Sequence, residues 1–193
     1  MKKLLITGFE PFGGELINPS WDAVLTLPDE INGYALTKLR IPVVFEKAAQ
    51  AVIQMANEIN PDAVLCVGQA GGRDAITFEL VAINLRYAQI PDNEGSKPMD
   101  EAIIEGGKNA YFSSLPMRKM AQSVNEKGIP ARVSYSAGAY VCTDLLYLLL
   151  SHFENSDTQV GFIHVPYSTE QNKEPSMSTF DIAKGLALAI DSI

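Results

Sequence analysis

The sequence predicts an α/β sandwich: an open, largely parallel, twisted sheet with helices on both faces. Two observations carry this. Strand-like segments recur as nearly continuous apolar runs, the texture of strands covered on both sides, and stretches of helical period alternate with them. Chain size agrees, because 193 residues, 47% apolar and 20% charged, can bury a full core without disulfides or metal.

Taken in order, the strand-like segments are Leu4 to Phe9, Leu36 to Val44, Ala63 to Val67, Ile76 to Leu85, Arg132 to Ser136 and Gly161 to Val165. Between the second and third, Ala48, Val52, Met55 and Ile59 recur at helical spacing from Glu46 onward, and Asn60-Pro61 stops the helix. Pro116 to Lys127 reads as a helix with Pro in its first turn, Met120 and Val124 on one face and Gly128 as the stop. Asp144 to Phe153 is a strongly apolar helical segment. A last helix from about Ser178 carries Ile182, Leu186, Ile190 and Ile193 on one face. No repeat, linker or low-complexity tract divides the chain, so residues 1–193 are expected to form a single domain. The longest irregular stretch, Ile90 to about Glu105, is rich in Pro, Gly and Asn. It reads either as a lid or interface element or as an ordinary surface excursion.

Charge and composition exclude several function classes. A net charge of −8 without a basic, aromatic-interleaved cluster argues against nucleic acid and anionic membranes as partners. No apolar run reaches the roughly 18 residues of a membrane span. The apolar segment after Lys2-Lys3 ends at Ile6, too short for a signal-peptide core, and the two cysteines form no disulfide framework, so a reducing, cytoplasmic setting is expected. Metal-ligand spacings are missing, which argues against a metal centre. The glycine pairs at 13–14, 71–72 and 106–107 fit neither dinucleotide nor P-loop patterns.

Two cysteines and two histidines remain as carriers of chemistry. Cys66, inside Ala63-Val64-Leu65-Cys66-Val67, reads as a small buried hydrophobe. Cys142 falls at a turn between a strand and the helical segment that follows. A helix N-terminus there would favour thiolate and offer N–H groups to an oxyanion, although inert packing cysteines also occur at helix starts. His164, near the C-terminal end of a buried strand, lies where open α/β sheets bind ligands, and equally suits a satisfied core histidine. His152, at a helix end, is explained by the helix dipole or by solvation. Glu79 interrupts an apolar run, so it faces either a site or water.

Four segments together resemble the pyroglutamyl peptidase I family: TGFEPFGG with NPS (Thr7 to Gly14, Asn18 to Ser20), VGQAGGR with ITFELVAIN (Val67 to Arg73, Ile76 to Asn84), SAGAYVC (Ser136 to Cys142) and HVPY (His164 to Tyr167). The resemblance spans essentially the whole chain. It implies a three-layer α/β/α sandwich, commonly a homotetramer, acting without a cofactor as a thiol protease on peptides with N-terminal pyroglutamate. It transfers the catalytic triad to Glu79, Cys142 and His164. Phe9 and Phe12 match the family's aromatic walls, with Tyr140 and Val141 beside them, Gln69 as a polar contact and Asn18 supporting the first loop. Small neutral lactams call for such walls and a few fixed hydrogen-bond partners. Two positions depart from the family pattern: Thr143 stands where Asn commonly follows the nucleophile, and Gln89 where many members have Arg. These departures leave open a non-catalytic module that binds pyroglutamate-like molecules; related architecture leaves open a nucleoside phosphorylase.

Overall fold

A computed structural model of the chain describes residues 1–193. In chain order its elements are β1 (Lys2–Phe9), α1 (Pro19–Thr26), β2 (Glu30–Ile31), β3 (Tyr34–Ile41), α2 (Lys47–Ile59), β4 (Ala63–Gln69), β5 (Ile76–Glu79), β6 (Val81–Ile83), β7 (Ala110–Phe112), α3 (Met117–Glu126), β8 (Ala131–Ser134), α4 (Val141–His152), β9 (Gln159–Val165), β10 (Tyr167–Ser168), β11 (Ser176–Met177) and α5 (Thr179–Asp191). Seven strands form the central sheet in the order β2-β3-β1-β4-β9-β5-β8. Its middle, β3, β1, β4 and β9, is parallel, and β5 lies antiparallel against β9.

Strand alternation assigns the two layers. Leu4 and Ile6 of β1, with Leu65 and Val67 of β4, face a core shared with α1, α3 and α5. Leu5 and Phe9, with Val64 and Cys66, face a second core shared with α2 and α4. Helix α4 commits most to this second core: Leu145, Leu146 and Leu149 are fully buried, each contributing about 1.5–3 kcal/mol by the usual transfer scale.

Four departures from the sequence reading have local reasons. Ile76 to Leu85 is not one strand: at Leu80 the backbone turns aside, its N–H going to Ser134 O and its carbonyl taking Ser113 N–H, and β6 pairs separately with β7. The Leu36 to Val44 run pairs only to Ile41, after which Val43 and Val44 bury themselves as loop. Helix α4 begins at Val141, not Asp144, so Cys142 lies inside its first turn. Helix α1, which lacks a long apolar period, is fixed instead by its cap: Asn18 accepts from Ser20 N–H at 3.1 Å, and Pro19 opens the first turn.

The long excursion after β6 is a strap pinned to the rest of the molecule. Arg86 and Glu101 bridge its two arms, and Ala88 N–H donates to Pro98 O. Buried Asp92 takes the N–H groups of Glu94, Ser96 and Phe45, while Asn93 donates to Glu10 and Pro11 O in the first loop.

Candidate active site

The parallel strands β1, β4 and β9 end on one edge of the sheet, the edge at which open α/β sheets place their ligands. Register then fixes which side chains meet. Gly68 lies beside His164 on the β4–β9 pair, and Thr77 lies opposite His164 on the β9–β5 pair, with Glu79 opposite Phe162. Paired residues share a face, so Gly68, His164, Thr77 and Glu79 all look toward the α2–α4 layer.

Helix α4 arrives over that spot. A Cβ added at Gly68 would stand 3.1 Å from Cys142 Sγ and 2.9 Å from the Phe162 ring. The missing side chain is therefore the space that lets the thiol lie against β4, at the residue in register with His164 on the neighbouring strand. Gly71 makes a second close approach, since a Cβ there would overlap the Tyr167 ring at 2.2 Å. Tyr167 thereby seats the turn after β4 against the end of β9.

His164 is buried, and its Nδ1 lies 2.8 Å from Glu79 Oε1. Burial works to raise the Glu79 pKa, but the His164 ring, the Ser134 hydroxyl and the Arg73 charge together hold it below the ordinary carboxylate value. An ionised carboxylate only accepts, so Nδ1 carries the proton and Nε2 keeps its lone pair. Burial lowers the His164 pKa despite the Glu79 charge, which makes the ring a neutral base.

The thiol departs from the sequence expectation. Burial first, and the Glu79 charge second, push Cys142 up to about 12, outweighing its own backbone N–H and the Arg73 charge, which pull it down. A helix start alone does not make this sulfur a thiolate; the proton has to be taken. The helix still supplies donors. Thr143 and Asp144 N–H groups are taken by Tyr140 O at 3.0 and 3.2 Å, while those of Val141 and Cys142 have no loop or cap acceptor.

The remaining sequence-derived positions are distributed around this centre. Phe9 is buried and its ring lies 6.4 Å from that of Phe162. Phe12 and Phe45 flank the Tyr140 ring at 6.4 and 5.4 Å, and the Tyr140 hydroxyl donates to Pro91 O of the strap at 3.0 Å. Val141 is buried in the α2–α4 core. Asn18 engages its amide within the protein, donating to Glu10 O at 2.9 Å and capping α1, so its side chain braces the first loop. The Gln69 side chain falls on the opposite face from the thiol, where its Oε1 accepts from Gln171 Nε2 at 2.9 Å. Gln89 is exposed. Thr143 is buried and its hydroxyl donates to Gly138 O at 2.6 Å, tying the first turn of α4 to the preceding loop.

Sequence reasoning assigned nothing to Arg73, which the structure places in this cluster. Its guanidinium donates to Glu79 Oε1 at 2.6 Å, to Thr77 Oγ1 and to Ser136 O at 3.2 Å. The signal was present as the final residue of VGQAGGR; Thr77 and Glu79 follow it on β5, Ser136 reaches it through the parallel β5–β8 pair, and His164 joins through the antiparallel β5–β9 pair.

Comparison with known proteins points the same way. The family model described as pyroglutamyl peptidase matches residues 2–193. The chain is 49% identical to a pyrrolidone-carboxylate peptidase of Thermosipho melanesiensis, over 99% of this chain and 98% of that one. It is 50% identical to one of Clostridium perfringens, over 99% and 92%. Among solved structures, pyroglutamyl peptidase I of Bacillus amyloliquefaciens superposes with a TM-score of 0.94 at 43% identity, covering 100% of this chain and 96% of that one. The pyrrolidone carboxyl peptidase of Thermococcus litoralis superposes with 0.95 at 36% identity, covering 100% and 93%.

Proposed function

The chain belongs to the pyroglutamyl peptidase family and is a cysteine peptidase that removes N-terminal pyroglutamate from peptides; from that premise we propose that Cys142 is the nucleophile, His164 the general acid/base and Glu79 the carboxylate that orients it. Family membership displaces the binding-module and phosphorylase readings. The observation that supports the assignment is the Cys142 thiol lying over Gly68, the residue that pairs on the sheet with His164, the one histidine held by a buried carboxylate.

Chemistry follows from the protonation states. His164 Nε2 takes the Sγ proton as sulfur attacks the exocyclic carbonyl carbon of pyroglutamate, and the first-turn N–H groups of Val141 and Cys142 receive the oxyanion. The tetrahedral species collapses, the C–N bond breaks, and the imidazolium gives its proton to the departing amine. Water then adds to the thioester with His164 again as base, releasing pyroglutamate. Glu79 fixes the Nδ1–H tautomer and stabilises the transient imidazolium.

Phe9, Phe12, Tyr140 and Val141 form the apolar side of the lactam site in this reading, and Gln69 contributes through its backbone next to Gly68. Asn18 acts indirectly, through the first loop. The chain works as a single domain spanning 1–193, in the cytoplasm and as a homotetramer. The last two rest on the cysteine usage and on the family resemblance; sedimentation equilibrium tests the tetramer. No helix is long and apolar enough to cross a membrane.

The experiment is hydrolysis of a fluorogenic pyroglutamyl amide by wild type and by Cys142→Ser. Thiol-dependent turnover in the wild type and its collapse in the variant are expected; turnover surviving in Cys142→Ala would remove this nucleophile.

A further inference from the structure

We propose that Arg73 is a positioning residue for the reaction, clamping Glu79 to the loop that carries the nucleophile. The inference rests on the triad reading above and deepens it.

Three observations converge on this side chain. Arg73 and His164 share one acceptor, Glu79 Oε1, at 2.6 and 2.8 Å, so the guanidinium fixes the oxygen that orients the imidazole. The same guanidinium reaches Ser136 O at 3.2 Å, at the start of the Ser136–Tyr140 loop leading into α4 and Cys142. It also donates to Thr77 Oγ1, and Thr77 stands opposite His164 on the sheet. One planar fork therefore spans the carboxylate, the strand beside the base and the nucleophile loop. Lysine, a single point donor on a flexible stem, cannot hold all three. Glu79 has no exposed surface, and its other oxygen, Oε2, has no hydrogen-bond partner; an unpaired buried carboxylate is costly, and Arg73 supplies the positive charge that stays when His164 is neutral. Outward, the arginine lines a cavity of about 350 Å³ with Thr77, Ser134 and Tyr135, so its loss opens onto water without emptying the core.

The test uses the full chain and a pyroglutamyl amide substrate, with thermal unfolding measured alongside. Arg73→Gln is expected to lose roughly 10- to 100-fold in kcat, the range for groups that hold a catalytic side chain in place, with KM nearly unchanged. Arg73→Lys is expected to recover part of the loss. Added to Glu79→Gln, Arg73→Gln should cost nothing further, because its effect passes through that carboxylate.

A pH readout separates positioning from bulk stability. The charged groups acting on His164 are Glu79 from β5 and Arg73 itself, with the Cys142 thiol over Gly68, the residue in register with it. The Arg73 charge opposes protonation of the ring, so its removal moves the acid limb of kcat/KM to higher pH. A folded Arg73→Gln with wild-type kcat and an unmoved acid limb overturns the proposal, as do losses that multiply in the double variant. Should Arg73→Gln fail to fold, Arg73→Lys decides: a reduced kcat supports the clamp and a wild-type kcat overturns it. Cys142→Ala, run in parallel, keeps the two readings apart. Activity surviving there defeats the triad, whereas an inactive Cys142→Ala beside a wild-type-like Arg73→Gln defeats only the clamp.

Discussion

Cys66 and Cys142 look into the same α2–α4 core, and burial pushes both thiols up to about 12. Desolvation acts on both thiols in the same direction. Their neighbours separate them. Cys66 lies mid-strand among apolar side chains with the Thr7 hydroxyl as the polar group acting on it, whereas Cys142 lies in the first turn of α4 over Gly68, which is in register with a histidine held by a carboxylate. On the proposed assignment, the difference teaches that reactivity would come from a base near the thiol and from donors for the oxyanion, without a thiol that is acidic on its own.

The largest effect that could break this contrast comes from deleting each sulfur. Cys142→Ala should lower kcat about 10⁴-fold or more, as expected when a nucleophile is removed from a group acting as a unit. Cys66→Ala should leave kcat almost untouched and show up in denaturant unfolding, with roughly 1–2 kcal/mol lost for a small buried cavity. Equal kinetic damage from the two would erase the distinction. Next in size is the base. Glu79→Gln frees the Nδ1 tautomer and should cost about 10²- to 10⁴-fold in kcat, read with KM to show that binding survives.

The pH dependence of kcat/KM sharpens the comparison further. Burial lowers the His164 pKa from its ordinary 6.5, so the neutral base persists into mildly acidic solution and the acid limb should lie below that value. With the thiol near 12, no alkaline limb from the Cys–His pair should appear at mildly basic pH. Stability follows the same sign. The unfolded histidine binds a proton more readily than the folded one, so this contribution is present above 6.5 and is lost as pH falls toward the folded value. Glu79, depressed in the fold, adds a loss at still lower pH. An acid limb above 6.5 would place the controlling group elsewhere.

The smallest expected effect concerns Thr143, which departs from the pattern the resemblance implies. Thr143→Val removes the hydroxyl that braces Gly138 O beneath the nucleophile loop, at a cost of roughly 1 kcal/mol in stability and a several-fold loss in kcat. An unchanged kcat would show that the loop is held by its other bonds, such as Tyr87 N–H to Ala139 O.

Much of the frame was legible because burial writes itself into sequence. The runs at Leu4, Ala63 and Gly161 are strands covered on both faces, and they form the centre of the sheet. Cys142, His164 and Glu79 could be singled out as residues at odds with their surroundings or at a chain turn. The start of α4 was read late because Tyr140 and Val141 look like strand residues; the Tyr140 carbonyl, which takes two N–H groups, begins the helix there. Arg73 was visible only as the last residue of VGQAGGR, with no role attached. Its role depends on β5 entering antiparallel to β9, a long-range pairing that leaves no local pattern. Desolvation opposes the acidity expected for Cys142 for a similar reason, since helix-end charge is a local feature and burial belongs to the assembled fold.

The most direct measurement traps the intermediate: wild-type protein is mixed with excess pyroglutamyl ester, quenched in acid and mapped by peptide mass spectrometry. A pyroglutamyl thioester on Cys142, and none on Cys66, is the expected result. Acyl label on Cys66, or turnover of the same ester by the Cys142→Ala protein, would contradict it.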